Sequence, residues 1–231
     1  MEDDLESAIM RIGFFGGSFD PPHLGHLAVG RAAADAFQLD RVLFAPTARQ
    51  PLKPDGASAS FADRLAMVAL LCEAGEATSP SGPAGLPGQR PGRTVFEPSP
   101  LDAPLPDGSP NYTVDTLARL RRQCLPEDHI LVIVGADAFL ELRRWRDPDT
   151  LLSLAEWIVV SRPGFSLRQL HSLALSTQQQ ERVHLLEQVH ETASATGIRA
   201  LLGQEVHISD AEQLLPSSVL AYIRSHHLYG A

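Results

Sequence analysis

Apolar positions along the chain fall into two rhythms. Short, nearly continuous apolar runs at 11–16, 41–46, 129–135, 156–162 and 182–187 have the length of strands covered on both faces, where no side need stay polar. Longer stretches of helical spacing separate them. The clearest spans 60–73, where Phe61, Leu65, Val68, Ala69 and Cys72 share one face behind Ser60, a residue type suited to cap a helix N-terminus. Strands alternating with helices predict an α/β fold: a doubly wound, mainly parallel sheet with flanking helices and a small C-terminal helical region.

The rhythm fails between about 78 and 110. Pro80, Gly82, Pro83, Gly85, Pro87, Gly88, Pro91 and Gly92 crowd together there, ahead of a short strand-like run at 94–97. Such density marks a flexible surface insertion, and it accounts for a solvated loop without invoking a lid. No internal repeat is visible. The 231 residues suit one domain, 1–231, large enough to bury a core without disulfide or metal staples.

Composition narrows the partners. A hydrophobic content of 44% with 20% charged residues is that of a globular protein, and a formal net charge of −9 argues against a general binder of nucleic-acid backbones. Cys72 and Cys124 are far apart in apolar helical stretches, which indicates neither a disulfide framework nor a thiolate metal site and fits a reducing cytoplasm. His184, His190, His207, His226 and His227 show no metal-ligand spacing. The first ten residues carry Glu2, Asp3, Asp4 and Glu6 where a signal peptide needs positive charge, and no 18-residue apolar run follows. No targeting or membrane segment is expected.

The chemistry concentrates in Gly16-Gly17-Ser18-Phe19-Asp20-Pro21-Pro22-His23-Leu24-Gly25-His26-Leu27, which follows the first strand and opens an alanine-rich helix. Strand, glycine turn and helix start together form a concave set of backbone N–H donors, reinforced by the helix dipole, that suits phosphate oxygens. His23 and His26 lie three residues apart, on one face of the first helical turn, with Gly25 removing bulk between them. An isolated pair of this kind is ordinarily two partly exposed histidines at a helix start; the surrounding string turns the balance toward phosphate contact. No Gly-x-x-x-x-Gly-Lys-Ser/Thr loop and no Gly-x-Ser-x-Gly elbow occurs.

This string resembles the His-x-Gly-His signature of the nucleotidyltransferases, and in its Pro-Pro-His form it is similar to the nicotinate-nucleotide adenylyltransferases. Further motifs of that family follow in order: Asn111-Tyr112-Thr113-Val114-Asp115-Thr116-Leu117, Val134-Gly135-Ala136-Asp137-Ala138 with Trp145, Ser161-Arg162-Pro163-Gly164, Ser194-Ala195-Thr196-Gly197-Ile198-Arg199, and Leu215-Pro216 through Leu228-Tyr229. Together they cover most of 11–229. The resemblance implies a Rossmann-like fold and transfer of AMP from ATP, with its magnesium, to nicotinate mononucleotide. It implies that His23, His26 and Arg199 act on the phosphates and that Gly16, Gly17, Ser18, Phe19, Lys53, Asp137, Ser194 and Thr196 hold ATP. Tyr112, Thr113 and Trp145 would hold the acceptor, with Trp145 stacked on the pyridine ring.

The residues themselves offer plainer readings. Trp145 as a core aromatic competes with stacking, although Arg143, Arg144 and Arg146 beside it favour partial exposure. Asp137 closes the apolar run 130–134 at the carboxyl end of a parallel strand, where ligands gather in open α/β sheets. Ser194 or Thr196 as a helix cap with Arg199 as a solvated charge is the plain reading of 194–199. Two positions depart from the family: Ala195 replaces a serine, and Pro51-Leu52-Lys53-Pro54 lacks the usual histidine. Alternatives are a different acceptor, nicotinamide mononucleotide or phosphopantetheine, and a nucleotide-binding regulator without turnover. Nothing in the sequence speaks to oligomeric state.

Overall fold

The computed structural model describes residues 9–49, 56–77, 94–161, 173–187, 193–203 and 208–231. Within them lie strands β1 (Arg11–Gly17), β2 (Arg41–Pro46), β3 (Val95–Pro98), β4 (His129–Gly135), β5 (Glu156–Val160) and β6 (Val183–Leu186). All pair in parallel, in the order β3-β2-β1-β4-β5-β6. The order runs outward in opposite directions from the β1/β4 pair, so the expected Rossmann-like, doubly wound architecture is present. The short run at 94–97 becomes the edge strand β3.

The helices are α1 (Leu24–Phe37), α2 (Phe61–Ala77), α3 (Thr113–Arg121), α4 (Ala136–Leu140), α5 (Pro148–Leu154), α6 (Thr177–Gln180), α7 (Ala195–Leu202), α8 (Ile208–Glu212) and α9 (Ser217–Ser225). Strand side chains alternate between two cores. From β4, Leu131 and Ile133 pack beneath α1, α2, α7 and α9, while Ile130, Val132 and Val134 pack beneath α3, α4 and α5. The C-terminal helices α7 and α9 therefore cover the same sheet face as α1 and α2. Each large side chain buried completely, such as Phe44 or Trp157, stabilises the fold by about 1.5–3 kcal/mol. No helix among the described residues is long and apolar enough to cross a membrane.

Ser60 caps α2 as the sequence suggests, its Oγ accepting from the Asp63 N–H at 3.1 Å. The helix continues one turn past 73, to Ala77. Gly30 lets α1 lie close on the sheet, since a Cβ there would meet Phe44 at 2.7 Å. Arg64, on α2, is 1% exposed. Its Nη1 donates to the carbonyls of Ser18 at 2.6 Å and Thr47 at 2.9 Å, tying the turn after β1 to the end of β2.

Residues 94–110, read from sequence as the later part of an excursion, belong to the folded body. β3 extends the sheet, the Ser99 N–H donates to the Phe44 carbonyl at 2.8 Å, and the Ala48 N–H donates to the Asp102 carbonyl at 3.0 Å. The Pro/Gly-rich part, 78–93, lies outside the described residues.

Candidate functional site

The carboxyl ends of β1 and β4 open onto a cleft of about 570 Å³. Strand order reverses here, which is where an open α/β sheet leaves a crevice that no crossover helix fills. Gly16, Gly17 and Ser18 form one side; Gly135 and Asp137, Tyr112 and Thr113 ahead of and within α3, and Trp145 complete it. Chain segments far apart in sequence thus converge as the motifs suggested.

Trp145 follows a 3-10 turn, Leu142–Arg144, and is half-buried. Its ring meets the fully buried Trp157 edge-on, with centroids 6.1 Å apart. It leans on the core and also lines the cleft. The guanidinium of Arg146 lies 4.6 Å from the centroid of the Tyr112 ring and 3.6 Å from Asp115, a cation–π contact that fixes the tyrosine's plane. Asn111 is 4% exposed. Its Nδ2 donates to the Ala103 carbonyl at 2.9 Å, while its Oδ1 has no partner and the side chain lines the cleft.

The second cluster sits at the start of α1. His23 is the N-cap residue, and its backbone N–H donates to His26 Nδ1 at 3.2 Å. An accepting Nδ1 leaves the imidazole proton of neutral His26 on Nε2. The two rings are 3.8 Å apart, and His26 also packs 4.7 Å from Phe19. Burial pushes the pKa of His23 down to about 4; burial, and then the neighbouring His23, hold that of His26 well below its ordinary value. Both rings are accordingly neutral hydrogen-bonding groups at neutral pH. His23 is 6% exposed with its Nδ1 unpartnered, an expensive state for a buried polar atom that a ligand would relieve.

The start of α7 joins this cluster. Ser194 caps the helix, its Oγ accepting from the Gly197 N–H at 3.1 Å. Arg199 donates through Nη2 to Thr196 Oγ1 at 3.3 Å and through Nη1 to the Asp20 carbonyl at 2.6 Å. His23, His26, Ser194, Thr196 and Arg199 stand outside the cleft lining and meet it through the 16–20 turn. The Phe19 side chain is fully buried among Phe15, Phe44 and His26. It anchors the turn from within the core and does not itself line the cleft. Lys53, with Leu52 beside it, lies outside the described residues.

Several residues of the site carried little local signal. Asp20 stood in the motif without an assigned task. Arg64 was legible only as a charge interrupting an apolar helix face. Asp102 came from the Pro/Gly-rich stretch, yet it is 5% exposed, lines the cleft and accepts from the hydroxyls of Thr116 and Thr47. Burial raises its pKa, and those hydrogen bonds oppose the rise.

A pH dependence follows from His23. Its folded pKa of about 4 lies below the ordinary 6.5, so the unfolded chain binds the proton more tightly. Stability is full above about pH 6.5 and falls as pH drops toward 4, by up to about 3 kcal/mol from this group. His23→Asn, which keeps a good capping residue, should flatten that part of the curve. Denaturant midpoints of both proteins at several pH values between those limits measure it; an unchanged slope in the variant would assign the effect to other groups.

The sequence pattern of the cytidylyltransferase-like family matches residues 14–201. A probable nicotinate-nucleotide adenylyltransferase of Moorella thermoacetica is 37% identical over 221 residues, covering 95% of this chain and 91% of that protein. A second protein of that description, from Roseiflexus sp. (strain RS-1), is 37% identical over 219 residues, covering 94% and 97%. Among solved structures, Plasmodium falciparum nicotinic acid mononucleotide adenylyltransferase complexed with NaAD shares the fold, with a TM-score of 0.68 over 96% of this chain and 98% of that one, at 16% identity.

Proposed function

The chain belongs to the cytidylyltransferase-like family and, within it, to the nicotinate-nucleotide adenylyltransferases, and from that premise we propose how its residues perform the reaction. It is an enzyme that transfers the AMP half of ATP to nicotinate mononucleotide, giving deamido-NAD and pyrophosphate, a step of NAD biosynthesis. A phosphate oxygen of the mononucleotide attacks the α-phosphorus of ATP in line. A new P–O bond forms as the bond to the bridging oxygen of the β-phosphate breaks, and the negative charge leaves on pyrophosphate.

The observation that carries the assignment of roles is the neutral imidazole pair, with a buried and unpartnered His23 Nδ1, beside the glycine turn. Such a pair, neutral before the substrates enter, serves by donating positioned hydrogen bonds to charge that grows in the transition state. Arg199 supplies the permanent positive charge, and the capped start of α7, with Ser194 and Thr196, offers backbone N–H groups and hydroxyls to the outer phosphates. Gly16, Gly17 and Ser18 line the path of the phosphates, Phe19 anchors their turn from within the core, and Lys53 adds a contact to the phosphates. Asp137 takes a ribose hydroxyl. Tyr112, Thr113 and Trp145 hold the acceptor, with Trp145 against the pyridine ring.

Magnesium enters as the ATP complex, held by phosphate oxygens and water, a mode that suits an ion reluctant to shed its hydration shell. Both cysteines are free, and burial raises the Cys72 thiol to about 12, so we place the reaction in the reducing cytoplasm.

The test offers the purified protein ATP and magnesium with nicotinate mononucleotide, nicotinamide mononucleotide and phosphopantetheine in turn, and records pyrophosphate release. Nicotinate mononucleotide should give the highest kcat/KM. Phosphopantetheine ranking first, or no release with any of the three, would overturn the reading.

A further inference from the structure

Asp20 ends the turn after β1 and is 3% exposed. Its carboxylate collects donors from widely separated parts of the chain. Oδ2 accepts from the Ser58 N–H at 2.6 Å; Oδ1 accepts from the Ala59 N–H at 3.0 Å and from the hydroxyl of Tyr229 at 2.7 Å. Arg199 approaches the same residue differently: its Nη1 bonds the backbone carbonyl of Asp20 at 2.6 Å and stays 3.7 Å from Oδ2.

This arrangement decides where the arginine's charge goes. A guanidinium next to a buried, unsaturated carboxylate would form a close ion pair, the stronger bond of the two on offer. Here three donors take three of the carboxylate's roughly four lone-pair positions, and the arginine bonds the neutral carbonyl while its ion pair to Oδ2 stays long, at 3.7 Å. Tyr229 supplies the only one of the three that comes from a side chain, and it reaches the carboxylate from the last turn of the chain, Leu228–Gly230, beyond α9. That turn also lies against the far end of α7, where a Cβ at Gly203 would stand 3.8 Å from the Tyr229 carbonyl. Burial and the bond to Asp20 raise the pKa of Tyr229 far above its ordinary value, so the hydroxyl keeps its proton at any working pH.

We propose that Tyr229 is a positioning residue for nucleotidyl transfer: by occupying the Asp20 carboxylate it keeps Arg199 from being captured there and leaves the guanidinium aimed at the leaving pyrophosphate. The proposal rests on the assignment of Arg199 to the outer phosphates. Removing the hydroxyl leaves Oδ1 with one donor, so the less well satisfied carboxylate pulls harder on Arg199 and the long ion pair at Oδ2 closes.

The experiment compares wild type, Tyr229→Phe, Arg199→Ala and the double variant in three readouts: kcat with each KM, the Kd of inorganic pyrophosphate by calorimetry, and Tm. Tyr229→Phe should lower kcat about tenfold and weaken pyrophosphate by a similar factor, with KM for nicotinate mononucleotide within about twofold. In the Arg199→Ala background the same change should cost nothing further, because two residues acting through one contact are not additive. An unchanged kcat with a lowered Tm, or an equal loss in both backgrounds, overturns the proposal. If Tyr229→Phe does not fold, Asp20→Asn is measured with Tyr229 intact: a neutral amide forms no ion pair with the guanidinium, so pyrophosphate must bind at least as tightly as in wild type, and weaker binding overturns the proposal. Pyrophosphate titration needs no acceptor, so it decides the matter even if the nicotinate reading fails. An Arg199→Ala protein that binds pyrophosphate normally would remove the arginine's assignment first, and this proposal with it.

Discussion

Replacing His26 by alanine should lower kcat by a factor of about 10²–10³, the usual cost of deleting one preorganised donor to a developing negative charge. The ring has two separable tasks. Its Nδ1 accepts the His23 N–H at 3.2 Å and so closes the first turn of α1; in the proposed role its Nε2 proton is the one offered to phosphate. His26→Asn keeps an acceptor for the cap and loses the donor at that reach. Stability should therefore recover in the asparagine variant, as read by thermal unfolding, while kcat stays low. Because both imidazoles are neutral in the free protein, the kcat/KM profile of wild type should show no histidine ionisation between about pH 5.5 and 8. A near-normal kcat in His26→Ala would sink the role.

Trp145→Ala should raise KM for nicotinate mononucleotide by one to two orders of magnitude, since stacking of an aromatic ring on a base contributes about 1–3 kcal/mol. KM for ATP should change little. The edge contact with Trp157 adds a second effect: truncating a half-buried tryptophan also removes packing, less than the about 3–5 kcal/mol seen for a fully buried one. Trp145→Phe separates the two, because it restores an aromatic face in the cleft. Steady-state kinetics with both substrates beside thermal unfolding checks this, and equal impairment of both substrates with a large fall in Tm would refute stacking.

The inner strands were legible because they are covered on both faces and so read as nearly unbroken apolar runs; β4, with Ile130 to Val134 buried throughout, is the plainest. The glycine turn and the histidine pair were legible because backbone geometry and a helix start impose residue types in a fixed local order. The supporting residues were not, because their partners are distant. Nothing near Arg64 in sequence announces that the carbonyls of Ser18 and Thr47 will satisfy a guanidinium inside the core, and an arginine on a helix is ordinarily read as solvated. Asp102 and Asn111 were masked by their neighbours, since proline and glycine density says loop whether the loop faces solvent or a cleft. Phe19 misled in another way: it stands inside a phosphate-facing string, yet its φ of 47° turns the ring inward, and full burial of that ring offsets the left-handed backbone. The neutrality of the histidines required the 3.8 Å ring spacing and the depth of the site, neither of which a spacing of three residues conveys.

The groups proposed to meet the leaving phosphates and those proposed to meet the acceptor ring are carried on opposite faces of the sheet, the first on α1 and α7, the second at α3 and beyond α4. His23, His26 and Arg199 are tied together through Asp20 and the turn after β1, while Tyr112, Thr113 and Trp145 are set by the entry to α3 and the segment beyond α4. Both sets adjoin residues 16–18, which line the cleft. Acceptor choice can therefore evolve at a few wall positions without disturbing how ATP is handled, and a descendant of this fold that adopts a new acceptor should change at 112, 113 and 145 while keeping the histidine pair and the arginine.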